Sequence, residues 1–94
     1  MASIKNLKKD INFLTDEVIG TCLLHQYANQ DKNQEKVDQL IEEMLEARDE
    51  MVNKVNHPDQ RPEGTSVKAY YNELFDAYLQ KVNNAFDTLG NLEE

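Results

Sequence analysis

The sequence predicts an all-α fold, a three-helix up-down-up bundle that forms one domain over residues 1–94. Glycine (three) and proline (two) are scarce among the 94 residues, and the turns between strands depend on these residues. Three segments repeat apolar residues at spacings of three and four, which is the period of an amphipathic helix. One short and one longer connection between the segments favour the up-down-up arrangement.

The first predicted helix covers about residues 4–28, with Ser3 as a candidate N-cap. Its main apolar stripe follows the helical period through Ile4, Leu7, Ile11, Leu14, Val18 and Cys22, and His25 continues it. Residues 29–34 are wholly polar and indicate a turn, but no Gly or Pro lies between Thr21 and His57. One continuous long helix is therefore the alternative. A jump of roughly 100° between the apolar stripes on either side favours the turn.

The second predicted helix covers about residues 34–56 and is amphipathic. Asp31 and Gln34 offer a capping box at its start. Its apolar side comprises Val37, Leu40, Ile41, Met44, Leu45, Met51, Val52 and Val55, and its acidic side includes Glu42, Glu43, Glu46, Asp49 and Glu50. We interpret the acidic side as a solvated face, and docking of a basic partner helix is the alternative.

A linker that contains both prolines covers residues 57–65. The third predicted helix covers about residues 66–89, with Thr65 or Ser66 as its cap and Gly90 as its C-terminal stop. Its apolar side comprises Val67, Tyr70, Tyr71, Leu74, Phe75, Tyr78, Leu79, Val82, Ala85, Phe86 and Leu89. We expect these side chains in the core, and a ligand-stacking wall formed by the aromatic residues is the alternative.

The first helix carries more apolar surface than a three-helix bundle requires. Phe13, Leu24 and Tyr27 lie at about 180°, 200° and 140° around the helix, opposite the main stripe. Gly20 lies among them, and since a glycine inside a helix costs about 1 kcal/mol relative to alanine, it indicates close approach of another helix. The cluster predicts an intermolecular face, most simply between two copies of the chain. The alternative is a central helix covered on both sides by its own chain.

Three other residues in the predicted helices have side chains that could bind a ligand or a metal. Arg48 lies within the apolar side of the second helix, where an arginine usually extends its head to water or pairs with a carboxylate; binding an anionic ligand is the alternative. Cys22 and His25 are three residues apart, a spacing that can place both on one metal. Zinc takes four ligands, and His57 is expected at the opposite end of the bundle. We therefore predict no metal and no cofactor.

The charge balance restricts the class of protein. The net charge of −8 repels phosphate, which disfavours nucleic acid and anionic membranes as partners. One cysteine cannot form an internal disulfide and favours a reducing compartment, and residues 1–9 lack the apolar run of a signal peptide. The cytoplasm is therefore expected. No catalytic motif is evident, so we predict a non-catalytic interaction or assembly module that is a homodimer or binds another protein.

Residues 7–14 (Leu-Lys-Lys-Asp-Ile-Asn-Phe-Leu) resemble the start of the first helix in the all-helical chorismate mutase family. Lys8, Lys36 and Arg48 stand at positions similar to basic residues of that family. The resemblance implies intertwined dimers and a small helical enzyme whose basic residues hold a dicarboxylate substrate, which is the alternative function. His25 stands where another arginine is expected. The chain as a whole is also similar to small uncharacterised bacterial all-α proteins, a similarity that implies no function.

Overall fold

The all-α fold is confirmed, since the described residues of the computed structural model form three α-helices packed as an elongated bundle. The structure describes residues 4–28 and 33–92, and no strand occurs in these two ranges. The bundle measures 49 × 21 × 17 Å. The helices are α1 (Ile4–Ala28), α2 (Gln34–Asn56) and α3 (Val67–Leu92), with a short 3₁₀ turn (Pro58–Gln60) between α2 and α3.

Polar contacts at the two ends of the bundle show that its helices run up, down and up. At one end, Gln26 Nε2 near the end of α1 donates to Asp38 Oδ1 near the start of α2, at 2.7 Å. At the other end, the Tyr70 hydroxyl near the start of α3 donates to the carbonyl oxygen of Lys54 near the end of α2, at 2.9 Å. Since α1 and α2 are antiparallel, they are two helices and not one continuous helix.

The start of α2 is shaped by Asn33, which has a left-handed backbone (φ 59°, ψ 21°) and makes no side-chain capping bond to α2. Its side-chain Nδ2 instead donates to the carbonyl oxygen of Leu92 at 3.1 Å. Asparagine tolerates this backbone region better than most residues. The residues that were predicted to cap α1 and α2, Ser3 and Asp31, lie outside the described residues.

The core is formed by one buried stripe from each helix. These stripes have the three-and-four spacing that the sequence predicted, because that spacing keeps side chains on one side of a helix. Leu79 and Phe86 of α3, which were expected in the core, are each 37% exposed, because two neighbouring helices cover only part of so wide an apolar side. The buried residues of the core are Leu7, Ile11, Val18 and Cys22 from α1, Val37, Leu40, Met44, Ala47, Met51 and Val55 from α2, and Tyr78, Val82, Ala85 and Leu89 from α3.

The linker between α2 and α3 is organised by the Arg61 guanidinium. Its Nε donates to the carbonyl oxygen of Thr65 and its Nη1 to that of Pro58, both at 2.8 Å. Gly64 supplies the positive φ of 85° that the turn requires. These contacts satisfy linker carbonyls and fix where α3 begins.

The sequence predicted the start of α3 better than its end. The Ser66 hydroxyl accepts a hydrogen bond from the backbone N–H of Ala69 at 3.1 Å, as an N-cap does. The predicted stop at Gly90 is wrong, since α3 continues through Gly90 to Leu92. The partly buried Leu92 side chain packs against the core, and Asn33 donates to its carbonyl. Both contacts stabilise the extra residues of the helix.

Candidate interaction surface on the first helix

The four residues predicted to form an intermolecular face lie together on the solvent side of α1. Phe13 is 60% exposed, Leu24 67% and Tyr27 77%, and Gly20 is exposed among them. We call these four residues the outer face of α1. None of the described residues covers them, so the described helices do not enclose α1 on both sides as the alternative of a central helix expects.

The opposite side of α1 is buried in the bundle. Ile11, Val18 and Cys22 are 0% exposed, because this side packs against both α2 and α3. Each residue advances about 100° around a helix, so the residues near 180° from this stripe must face away from the bundle. The outer face is therefore a direct consequence of the position of the core stripe.

The outer face is a narrow apolar strip with a glycine at its middle. Phe13 and Tyr27 are each seven residues from Gly20, which makes the strip about 21 Å long at 1.5 Å per residue. Leu23 was not predicted as part of the face, but it borders the face and is 55% exposed. A Cβ added at Gly20 would meet no heavy atom within 4 Å, so packing within the chain gives no reason for a glycine here.

The charges of α1 balance, unlike those of the remaining chain. Because α1 contains three lysines and three acidic residues, it carries no net charge, and the other residues carry the whole net charge of −8. The balanced charges of α1 are Lys5, Lys8 and Lys9 against Asp10, Asp16 and Glu17.

The acidic side of α2 is exposed along its length, which agrees with the interpretation of a solvated face. Its acidic residues Glu42, Glu43, Glu46, Asp49 and Glu50 are all exposed. The Arg48 guanidinium donates to Asp49 Oδ1 through Nη2 at 3.1 Å and Nε at 3.3 Å. Arg48 therefore pairs with a carboxylate of its own helix.

Cys22 and His25 lie in the bundle interior, where they are 0% and 5% exposed. Burial raises the pKa of the Cys22 thiol, so the thiol stays protonated near neutral pH and is a poor nucleophile. In the described parts of the chain, no three His, Cys, Asp or Glu side chains are grouped so that they could hold a metal ion.

The basic residues on which the resemblance to the chorismate mutase family rests lie far apart in the fold of one chain. Lys8 lies in the first third of α1 and Lys36 near the start of α2, at the opposite end of the bundle, on the order of 30 Å away. Arg48 is paired with Asp49, and His25 is buried. One chain therefore does not bring these side chains around a common substrate.

A buried polar pair joins α1 to α3. Thr15 and Tyr78 are both 0% exposed. Thr15 Oγ1 donates its one hydrogen to the carbonyl oxygen of Ile11 at 2.8 Å. The Tyr78 hydroxyl is therefore the donor in its hydrogen bond to Thr15 Oγ1. Burial raises the pKa of Tyr78, although the charge of Arg48 opposes the rise. Thr15 was not among the predicted residues of the core stripe, although its position four residues after Ile11 places it on that stripe.

A groove of about 390 Å³ separates the first half of α3 from α1. Its volume lies in the range of small-ligand sites, about 300–1,000 Å³. Its charged and amide residues are all exposed, and the half-buried Tyr71 hydroxyl already donates to the carbonyl oxygen of Val55. The lining therefore offers little to orient a ligand. The groove is lined by Leu7, Val67, Tyr71 and Phe75, with Asp10, Lys68, Asn72 and Asp76 at its rim.

No family model, curated protein or solved structure matches this chain. Within the ranges that the structure describes, none of the helices combines the length and apolar character needed to cross a membrane.

Proposed function

We propose that the chain is a non-catalytic, cytoplasmic protein-interaction module that assembles as a homodimer through the outer face of α1. One observation carries the proposal: three large apolar side chains of one helix face are between 60% and 77% exposed. Burying apolar surface stabilises an assembly by about 25 cal/mol per Å². Clustered exposed apolar residues are typical of protein–protein contact sites.

The charge distribution favours a second copy of the chain as the partner. Two copies of the protein repel each other overall, because each carries a net charge of −8. Contact between two acidic α2 faces would add to this repulsion, whereas two α1 helices meet without net charge. A homodimer contact through α1 therefore brings the copies together where repulsion is least.

The exposed area is in the range of a weak dimer. An aromatic side chain covers about 150–250 Å², so the exposed parts of Phe13 and Tyr27 amount to on the order of 120 and 150 Å². With Leu23 and Leu24, two copies would bury on the order of 1,000 Å², near the lower end of specific interfaces. We therefore expect the dimer population to depend on protein concentration.

Replacing Leu24 with Glu is expected to convert the dimer into folded monomers. The substitution places one carboxylate from each copy in the proposed interface, but leaves the buried side of α1 unchanged. Light scattering coupled to size exclusion, from about 10 μM to about 1 mM protein, should give twice 10.9 kDa for the wild type and 10.9 kDa for Leu24→Glu. Far-UV circular dichroism should give the same helix content for both proteins.

Gln80→Glu is the matched control, because it introduces the same side chain and charge at an exposed position of α3. We expect this variant to dimerise like the wild type. A wild type that remains monomeric over the whole concentration range would contradict the proposal. A Leu24→Glu variant that dimerises as tightly as Gln80→Glu would contradict the assignment of the interface.

A further inference from the structure

Three of the four residues of the outer face of α1 are arranged symmetrically about Gly20. Phe13 and Tyr27 lie the same number of residues before and after it, and all three are exposed on one side of the helix. In an antiparallel helix pair with a two-fold axis at Gly20, each position before the glycine faces the equivalent position after it. Such a pair places the Phe13 ring of each copy against the Tyr27 ring of the other copy.

Building on the homodimer proposed above, we infer that the two copies cross antiparallel at Gly20, with Phe13 of each copy packed against Tyr27 of the partner subunit. Aromatic pairs attract each other when their ring centroids are about 4.5–7 Å apart. Because Gly20 has no side chain, the two helix axes can approach closely where they cross. This role explains a glycine that nothing within the chain requires, since its Cβ would meet no heavy atom within 4 Å.

The charges of α1 favour the antiparallel direction. A parallel pair would place Asp16 and Glu17 beside their own copies and would collect the three lysines of both copies at one end. In the antiparallel pair, the two Asp16 residues are about 12 Å apart along the axis and the two Lys9 residues about 33 Å. Both separations exceed the Debye length of about 8 Å at physiological salt, so the repulsion is largely screened.

A second antiparallel register, centred on Phe13, is less favourable. It would bring Lys9 of one copy beside Glu17 of the other, but it would leave Leu24 and Tyr27 in water. Exposed ion pairs contribute little, whereas burial of large apolar side chains is the main source of association free energy. The register centred on Gly20 is the one that buries the complete outer face.

Cysteine cross-linking tests both the direction and the register. Asp16 and Leu23 are exposed and border the outer face without belonging to it. They lie on the same flank of α1, and in the proposed crossing Asp16 of one copy and Leu23 of the other are only about 1.5 Å apart along the axis. An equimolar mixture of Asp16→Cys and Leu23→Cys should form the mixed disulfide under mild oxidation, whereas neither variant alone should cross-link. A disulfide needs its Cα atoms about 4.4–6.8 Å apart, and copies of the same position lie at least about 9 Å apart along the axis.

The wild type is the control, because its only cysteine, Cys22, is fully buried and should not cross-link. Light scattering on the same samples separates the two proposals. Monomers throughout would overturn the homodimer itself. Dimers in which each variant cross-links alone would overturn the antiparallel direction only, and dimers without the mixed disulfide would overturn the register at Gly20.

Gly20→Leu tests the crossing point independently. An added side chain meets nothing within the chain, and leucine is a better helix former than glycine. We therefore expect the melting temperature of the dilute monomer to rise by about 4–8 °C, while the dimer dissociation constant increases by about tenfold or more. Gly90→Leu is the matched control, because Gly90 is also helical and open; it should leave dimerisation unchanged. A Gly20→Leu dimer as tight as the wild type would overturn the crossing at this residue.

Discussion

Replacing Tyr78 with Ala is expected to lower the free energy of unfolding by about 3–5 kcal/mol, the range for removing a large aromatic side chain from a core. Tyr78 is 0% exposed and belongs to the central cluster in which the three helices meet. Small domains have total stabilities of about 5–15 kcal/mol, so the loss is a large part of the whole. Urea unfolding followed by far-UV circular dichroism measures it.

Tyr78→Phe separates the contribution of the hydroxyl from that of the ring. It removes the hydrogen bond to Thr15, which should cost about 0.5–1.5 kcal/mol. Thr15→Val removes the other partner at nearly constant shape, so a double-mutant cycle isolates the pair. A free energy of unfolding for Tyr78→Ala that lies within about 1 kcal/mol of the wild-type value would contradict the burial of this ring.

The raised pKa of Tyr78 adds a dependence on alkaline pH. The folded-state pKa lies above the ordinary value of 10.0, so the unfolded chain ionises first as the pH rises. Stability from this group is therefore complete below pH 10.0 and is lost as the pH rises through the folded pKa. Tyr78→Phe lacks this component, so its stability should decline less than that of the wild type above pH 10.0.

Features that depend on one helix at a time were predictable from the sequence. The ranges of α1 and α2 agree with the apolar period, and the outer face of α1 followed from the angles of Phe13, Gly20, Leu24 and Tyr27 around a helix axis. Such angles depend on local geometry alone. This is why the position of the candidate surface, unlike the identity of its partner, could be stated before the structure was known.

Features that depend on contacts between helices could not be predicted in this way. α3 passes Gly90 because Leu92 packs on the core and Asn33 reaches its carbonyl, and neither contact is visible in the local sequence. The Thr15–Tyr78 bond joins positions 63 residues apart. The groove between α1 and α3 likewise depends on how closely two helices pack.

Replacing Val18 with Glu is expected to abolish cooperative folding at neutral pH. Val18 is 0% exposed on the inner side of α1, and an ionised carboxylate buried there without a partner costs several kcal/mol. That penalty approaches the whole stability of a small domain. Far-UV circular dichroism should show a large loss of helix and no sigmoidal thermal transition.

Leu24→Glu is the matched control for this experiment, because it introduces the same side chain six residues later on the exposed side of the same helix. Surface substitutions usually change stability by less than about 0.5 kcal/mol, so Leu24→Glu should remain folded while Val18→Glu does not. If both variants unfold, the outer face is covered in the native monomer and the proposed interface is wrong. If Val18→Glu folds normally, the inner side of α1 is not the core. Only a folded Leu24→Glu beside an unfolded Val18→Glu assigns one side of α1 to the core and leaves the other for a partner.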